Sequence, residues 1–207
     1  MRKKRAGIAS IVAALAFALA GCGNSAEEGG VELNLPKSDL TAYGIEEPHR
    51  FYDLSMLDVM DLVTNEAFDG VLYFGFAECP WCQESVPVLQ EASQNTEVDI
   101  LYVSRAHVLR EGEWVDADIE MAWWFDGQVG LEWLVDEEGE PTRPNIFVPF
   151  VVHVSGGEVV SAHRGTIWSD AEDGYLLELS PEQRADLLSL YEGLLTDSCP
   201  ADALMCA

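Results

Sequence analysis

Val71 to Cys82 reads V-L-Y-F-G-F-A-E-C-P-W-C. The first half, Val71 to Phe76, is a nearly continuous apolar run rich in β-branched and aromatic residues. That composition suits a strand buried on both faces. The second half places two cysteines with only Pro80 and Trp81 between them. Pro80 fits the first turn of a helix, where its missing N–H costs nothing. W-C-Q-E-S-V-P-V-L-Q-E-A-S can continue that helix, with a kink expected at Pro87. A C-x-x-C between a buried strand and a helix start has three chemical readings: half of a zinc site, a fixed disulfide, or a pair that makes and breaks disulfides in other molecules. Zinc needs four ligands, usually a second C-x-x-C or a histidine pair. No such partner is visible, and no metal is expected.

The compartment decides what cysteines do. The chain opens with M-R-K-K-R, continues as an apolar stretch from Ala6 to Leu19, and reaches L-A-G-C at Leu19 to Cys22. A basic start, a short apolar run and small residues before a cut describe a secretory signal. The run falls short of the roughly 20 apolar residues of a membrane span. The segment resembles the lipobox of bacterial lipoproteins. That resemblance implies cleavage before Cys22, a lipid on Cys22, and a position outside the cytoplasmic membrane, held to the bilayer by acyl chains. The bland alternative is an ordinary cleaved signal in which Cys22 is incidental. Setting Cys22 aside leaves four of the five cysteines, an even number where disulfides persist. Cys199 and Cys206, in S-C-P-A-D-A-L-M-C-A, are expected to bridge and pin the C-terminus. So small a loop adds about 2–3 kcal/mol at most. The sharper alternative makes them a second redox pair feeding the first.

The whole chain carries 11 basic and 37 acidic residues, a net charge of −26. Loss of residues 1–21 removes four basic residues and no acidic one, leaving 7 against 37, or −30. Such a surface repels nucleic acid and anionic lipid headgroups.

Residues 22–39 read as a flexible tether, 40–196 as the folded domain, and 197–207 as a tail. Leu54 to Glu66 has helical periodicity with Ser55 as N-cap, and Met56, Val59, Met60 and Val63 as core. Val98 to Ser104 is a second strand. Residues 105–146 are the least legible part. A small hairpin is expected over 108–115, one or two helices over 118–135, and an acidic loop after that. Phe147 to Val154 and Glu158 to His163 form a hairpin turning at Ser155-Gly156-Gly157. Ser180-Pro181-Glu182-Gln183 starts a last helix as a capping box. The expected fold class is an α/β sandwich with a mixed sheet flanked by helices and a lengthened middle segment.

These features, in this order, resemble the thioredoxin superfamily. The matching parts are the strand into Cys79-Pro80-Trp81-Cys82, the hairpin V-P-F-V-V-H-V-S-G-G-E-V-V, and Gly165 before a closing helix. The resemblance spans about residues 50–196. It implies that Pro149 is cis and faces the cysteine pair, and that the backbone of Val148 is free for an extended substrate. Cys79 would attack, its thiolate favoured by the helix N-terminus. Cys82 would resolve the mixed disulfide. Trp81 is expected to be exposed and to touch substrate. No organic cofactor is implied, because the Cys79–Cys82 disulfide is itself the redox centre. Two residues depart from the family pattern. Tyr73 stands where many members carry a buried Asp, and Glu78 stands where many carry Trp, so a carboxylate beside Cys79 is expected to raise its pKa.

The function expected is a membrane-anchored, extracytoplasmic thiol–disulfide oxidoreductase. Its partners would be thiols or disulfides of exported proteins or peptides and a membrane redox protein. The competing expectation is a thioredoxin-like binding module whose C-x-x-C is a permanent staple, with the tryptophan-rich middle segment or the acidic face as partner surface. His107, His153 and His163 read as surface or satisfied strand residues.

Overall fold

The computed structural model describes residues 34–106, 113–170, 172 and 174–196. Cys22, Cys199, Cys206, His107, the signal segment and most of the tether lie outside the described residues. No helix of the described residues is long and apolar enough to cross a membrane.

The frame is a five-stranded mixed sheet. In chain order its strands are β1 (Phe51–Asp53), β2 (Asp69–Gly75), β3 (Ile100–Ser104), β6 (Phe150–Ser155) and β7 (Glu158–Arg164), and across the sheet they run β1-β3-β2-β6-β7. β3 pairs in parallel with both β1 and β2, and β6 is antiparallel to both β2 and β7. Every residue from Val71 to Gly75 is buried, as a continuous apolar run between two helical layers requires.

The pleat sorts alternate side chains into two cores. Val71, Tyr73, Ile100, Tyr102 and Val151 face α2 (Pro80–Thr96) and α4 (Pro181–Leu195). Leu72, Phe74, Leu101, Val103, Phe150 and Val152 face α1 (Val59–Val63) and α3 (Glu113–Val129). The result is an α/β sandwich, a mixed sheet flanked by helices, as the sequence leads one to expect. α2 carries Pro80 in its first turn and continues through Pro87 to Thr96. α4 starts on the anticipated capping box, Ser180 Oγ accepting from Gln183 N at 3.3 Å while Gln183 Oε1 accepts from Ser180 N at 2.9 Å.

Several sequence expectations give way. The helix expected over 54–66 is a 3-10 turn, Met56–Asp58, followed by the single turn and a half of α1, and Met60 is only half-buried. Residues 113–115, expected in a hairpin, begin α3, one helix where one or two were expected. The acidic loop is the turn of a hairpin between β4 (Trp133–Val135) and β5 (Pro141–Pro144), with Asp136 Oδ1 accepting from Glu138 N and Glu140 N. Two short strands, β8 (Trp168–Ser169) and β9 (Gly174–Tyr175), form a hairpin that no periodicity announced. Pro36 to Ser38, read as the end of a tether, lie antiparallel along β1: Ser38 N donates to Phe51 O at 3.1 Å and Asp53 N to Pro36 O at 2.9 Å.

Candidate functional site

β2 ends at Gly75, and four residues later the chain reaches Cys79, the N-cap of α2. The central strand therefore delivers both thiols to one end of the sheet, beyond its own C-terminus. Both are free and buried, Cys79 4 % exposed and Cys82 0 %. Across from them the Val148–Pro149 peptide is cis, and Pro149 is buried at the start of β6. Val148 O lies 3.9 Å from Cys79 Sγ. So Cys79, Cys82, Trp81, Val148 and Pro149 are brought into one place.

The two thiols are electrostatically unequal. The Cys79 thiol is pulled down to about 7, first by the hydrogen bond from Cys82 and then, against its own burial, by the first-turn N–H groups of Cys82 and Trp81. The Cys82 thiol is pushed far up, because it donates to Cys79 and is buried. Near neutral pH the outer sulfur is therefore the more readily ionised of the two, while the inner one holds its proton. Glu78 is exposed, and the groups that move Cys79 are the ones just named; the field of Glu78 acts instead on Tyr102. The Cys79 pKa falls where the sequence led one to expect a rise from Glu78, because the partner thiol and the helix N–H groups dominate.

Beneath Cys82 the core is polar. Tyr73 is fully buried, and its phenol runs up the strand over Gly75, where a Cβ would come within 2.5 Å of the hydroxyl. Glycine there leaves room for the Tyr73 hydroxyl. That hydroxyl closes no hydrogen bond of ordinary geometry, yet Cys82, Tyr43 and Ser85 act on it, and it favours the Cys82 thiolate. Tyr73 stacks on Tyr102 at 5.5 Å, whose hydroxyl lies 3.0 Å from that of Tyr43. Tyr191, also buried, faces Ser85 from α4. Sequence reading marked Tyr73 only as a departure and did not find Ser85, Tyr43, Tyr102 or Tyr191; their periodicity is that of ordinary core.

Trp81 is 37 % exposed, but its indole is not loose: Nε1 donates to Tyr175 O at 2.9 Å. Tyr175 lies flat against Gly165, where φ is +76° and a Cβ would meet the Tyr175 ring at 2.3 Å. Trp168 stands edge-on to Tyr175 at 5.1 Å. Trp81, Tyr175, Phe147, Val148, Gly165, Arg164 and Glu132 line a pocket of about 160 Å3 beside the cysteines.

The other candidates resolve simply. His153 Nε2 pairs with Asp69 at 2.8 Å, and His163 Nε2 donates to Thr166 O at 2.8 Å. Burial pushes the His163 pKa down to about 4, so it is neutral at physiological pH. Trp123 and Trp133 pair edge-to-face on the surface at 5.2 Å, while Trp124 packs on Phe125. Among the described residues no cluster of three or more His, Cys, Asp or Glu could hold a metal ion.

No family model matches the chain, and no curated protein is significantly similar to it. Among solved structures it is similar to thioredoxin O2 from Arabidopsis thaliana in its oxidised state, at 16 % identity and a TM-score of 0.37, over 71 % of this chain and 96 % of that one.

Proposed function

We propose that this chain is a thiol–disulfide oxidoreductase working outside the cytoplasmic membrane, tethered there through Cys22. The observation that carries the reading is the pair of free thiols at the start of α2, one outer and one inner, beside the Val148 carbonyl and cis-Pro149. The basic and apolar leader ending in L-A-G-C supports the location.

In the reducing direction the Cys79 thiolate attacks one sulfur of a client disulfide. A Cys79–client bond forms, the client S–S bond breaks, and the client's second sulfur leaves as a thiolate that takes up a proton. Cys82 then loses its proton and attacks Cys79 Sγ. The Cys79–Cys82 disulfide forms and the client is released with its second thiol. Two electrons pass to the client. Run backwards, the same steps oxidise client thiols. A dithiol–disulfide partner in the membrane would restore the pair. Cys82 is buried and strongly protonated at rest, so it cannot compete for the client; Tyr73, aimed at its sulfur, favours the thiolate when it is needed.

The test is a redox titration of the Cys79–Cys82 pair against glutathione and dithiothreitol, with Cys22→Ser, Cys199→Ser and Cys206→Ser in place. A midpoint between about −120 and −180 mV marks a disulfide donor or isomerase, and one near about −270 mV a reductant. A pair that stays oxidised in both buffers overturns the enzyme reading in favour of a stapled binding module.

A further inference from the structure

The pocket beside Val148 is not needed for thiol chemistry. Besides Trp81 of the C-x-x-C, it is assembled from pieces elsewhere in the chain: Phe147 before the cis peptide, Gly165 and Arg164 at the end of β7, and Tyr175 from the β8–β9 hairpin. Three contacts fix its wall. Trp81 Nε1 is tied to Tyr175 O, the Tyr175 ring fills the space above Gly165, and Trp168 braces Tyr175 while its own indole donates to Asp170 at 3.0 Å. Exposed aromatic surface held this firmly loses little freedom on binding, which favours a site over a passive patch. A cavity of about 150 Å3 takes one benzene ring, so about 160 Å3 has room for one aromatic side chain. Val148 belongs both to the pocket and to the contact with Cys79, at 3.9 Å. A strand lying along Val148 with its sulfur at Cys79 would therefore drop a neighbouring side chain into the pocket.

The rim carries one more clue. Arg164, the basic residue of the lining, is neutralised by Glu132 at 3.3 Å, and the charged residues closest in sequence to Trp81 and to the β8–β9 hairpin are acidic. Glu78 precedes Cys79, and Asp170 and Glu172 sit in the turn of the hairpin; all three are exposed. The chain as a whole carries −26. A basic segment is attracted and an acidic one repelled.

Resting on the redox reading above, we propose that this pocket is a client subsite that selects a basic peptide segment with an aromatic residue directly beside its reactive cysteine. The test uses the full chain in detergent with Cys22→Ser, Cys199→Ser and Cys206→Ser, reduced and offered equimolar glutathione mixed disulfides of Arg-Cys-Phe-Arg and Arg-Cys-Ala-Arg. The ratio consumed is read by mass spectrometry. Phe should be preferred about tenfold or more, given the worth of a filled apolar pocket. Phe147→Ala and, separately, Tyr175→Ala should bring the ratio towards one. Glu-Cys-Phe-Glu should react more slowly than its Arg counterpart, and salt should erase that gap. Equal consumption of Phe and Ala peptides overturns the subsite while leaving the redox reading intact. Reaction with neither peptide sinks the redox reading instead. The pocket is then decided by Arg-Ser-Phe-Arg, which should shift the Trp81 indole N–H resonance where Arg-Ser-Ala-Arg does not; no shift overturns it.

Discussion

The two faces of the sheet are built from different chemistry. Behind β2 and β6, on the α1/α3 side, Phe74, Phe125 and Phe150 meet edge-to-face or tilted within 5.5 to 5.9 Å, surrounded by aliphatic side chains. A charge pair there, Arg105 with Asp118, is buried and doubly hydrogen-bonded, at 2.9 and 2.6 Å. On the α2/α4 side Tyr73 of β2 and Tyr102 of β3 meet the two thiols and Ser85 of α2 and Tyr191 of α4, and the hydroxyls of Tyr73 and Tyr191 lack an ordinary partner. Buried hydroxyls left unbonded cost stability. The first face holds the fold together, and the second gives up some cohesion to keep polar groups around Cys82.

Substitutions can break that contrast. The largest effect is chemical: Cys79→Ser should abolish exchange with clients, and Cys82→Ser should leave one client trapped per chain, seen as a stable mixed disulfide on a non-reducing gel. Neither should unfold the protein. Next come losses on the opposite face. Asp118→Ala strands the Arg105 charge in the core and should cost about 3–5 kcal/mol, and Phe125→Ala about the same from its cavity, both measured by urea unfolding. The Cys79 titration should stay where it is in each. A shifted titration would mean that the faces are coupled.

A subtler break is Cys82→Ala. The strongest influence lowering the Cys79 pKa is the hydrogen bond from Cys82, so the midpoint of Cys79 alkylation should climb from about 7 toward its ordinary value of 9.0. In the native reduced protein the sign follows from the same lowered pKa. Stabilisation by the Cys79 thiolate is complete above the unfolded value near 9.0 and disappears as pH falls through about 7. Thermal melts of the reduced chain against Cys79→Ala should diverge as pH rises through that window. The smallest effect on stability belongs to Tyr73→Phe. Removing an orphaned hydroxyl should change stability by less than about 1 kcal/mol, yet release of the mixed disulfide should slow about tenfold, as loss of a hydrogen bond to a developing charge allows. A large loss of stability with unchanged release would make Tyr73 ordinary core and dissolve the contrast.

The legible parts were those where local rules agree. A continuous apolar run, a Pro at N1 and a capping box need no distant information, so β2, α2 and α4 stand where sequence places them. β1 and the β8–β9 hairpin were illegible because two- and three-residue strands have no period to detect; tertiary contacts make them. For the site, the cysteines, Trp81, Val148 and Pro149 were readable from a motif and a resemblance. Tyr175 was not: it is 94 residues from Trp81, and only Gly165, with its missing Cβ, hinted that a ring would lie there. The hydroxyls around Cys82 were hidden for a different reason. A buried tyrosine and a buried phenylalanine obey the same periodicity.

The pairing of Pro36 to Ser38 along the outer edge of β1 has a mechanical consequence. A pull on the N-terminal end reaches the sheet through that short antiparallel contact. It would peel Asp53 N from Pro36 O and then Ser38 N from Phe51 O, one at a time rather than in shear. Each yields about 1 kcal/mol. The next obstacle is Leu40, 1 % exposed and set in the core that holds the cysteines. Weak stitches followed by a firm knot let the segment before Leu40 give way under tension before any force reaches Cys79 and Cys82.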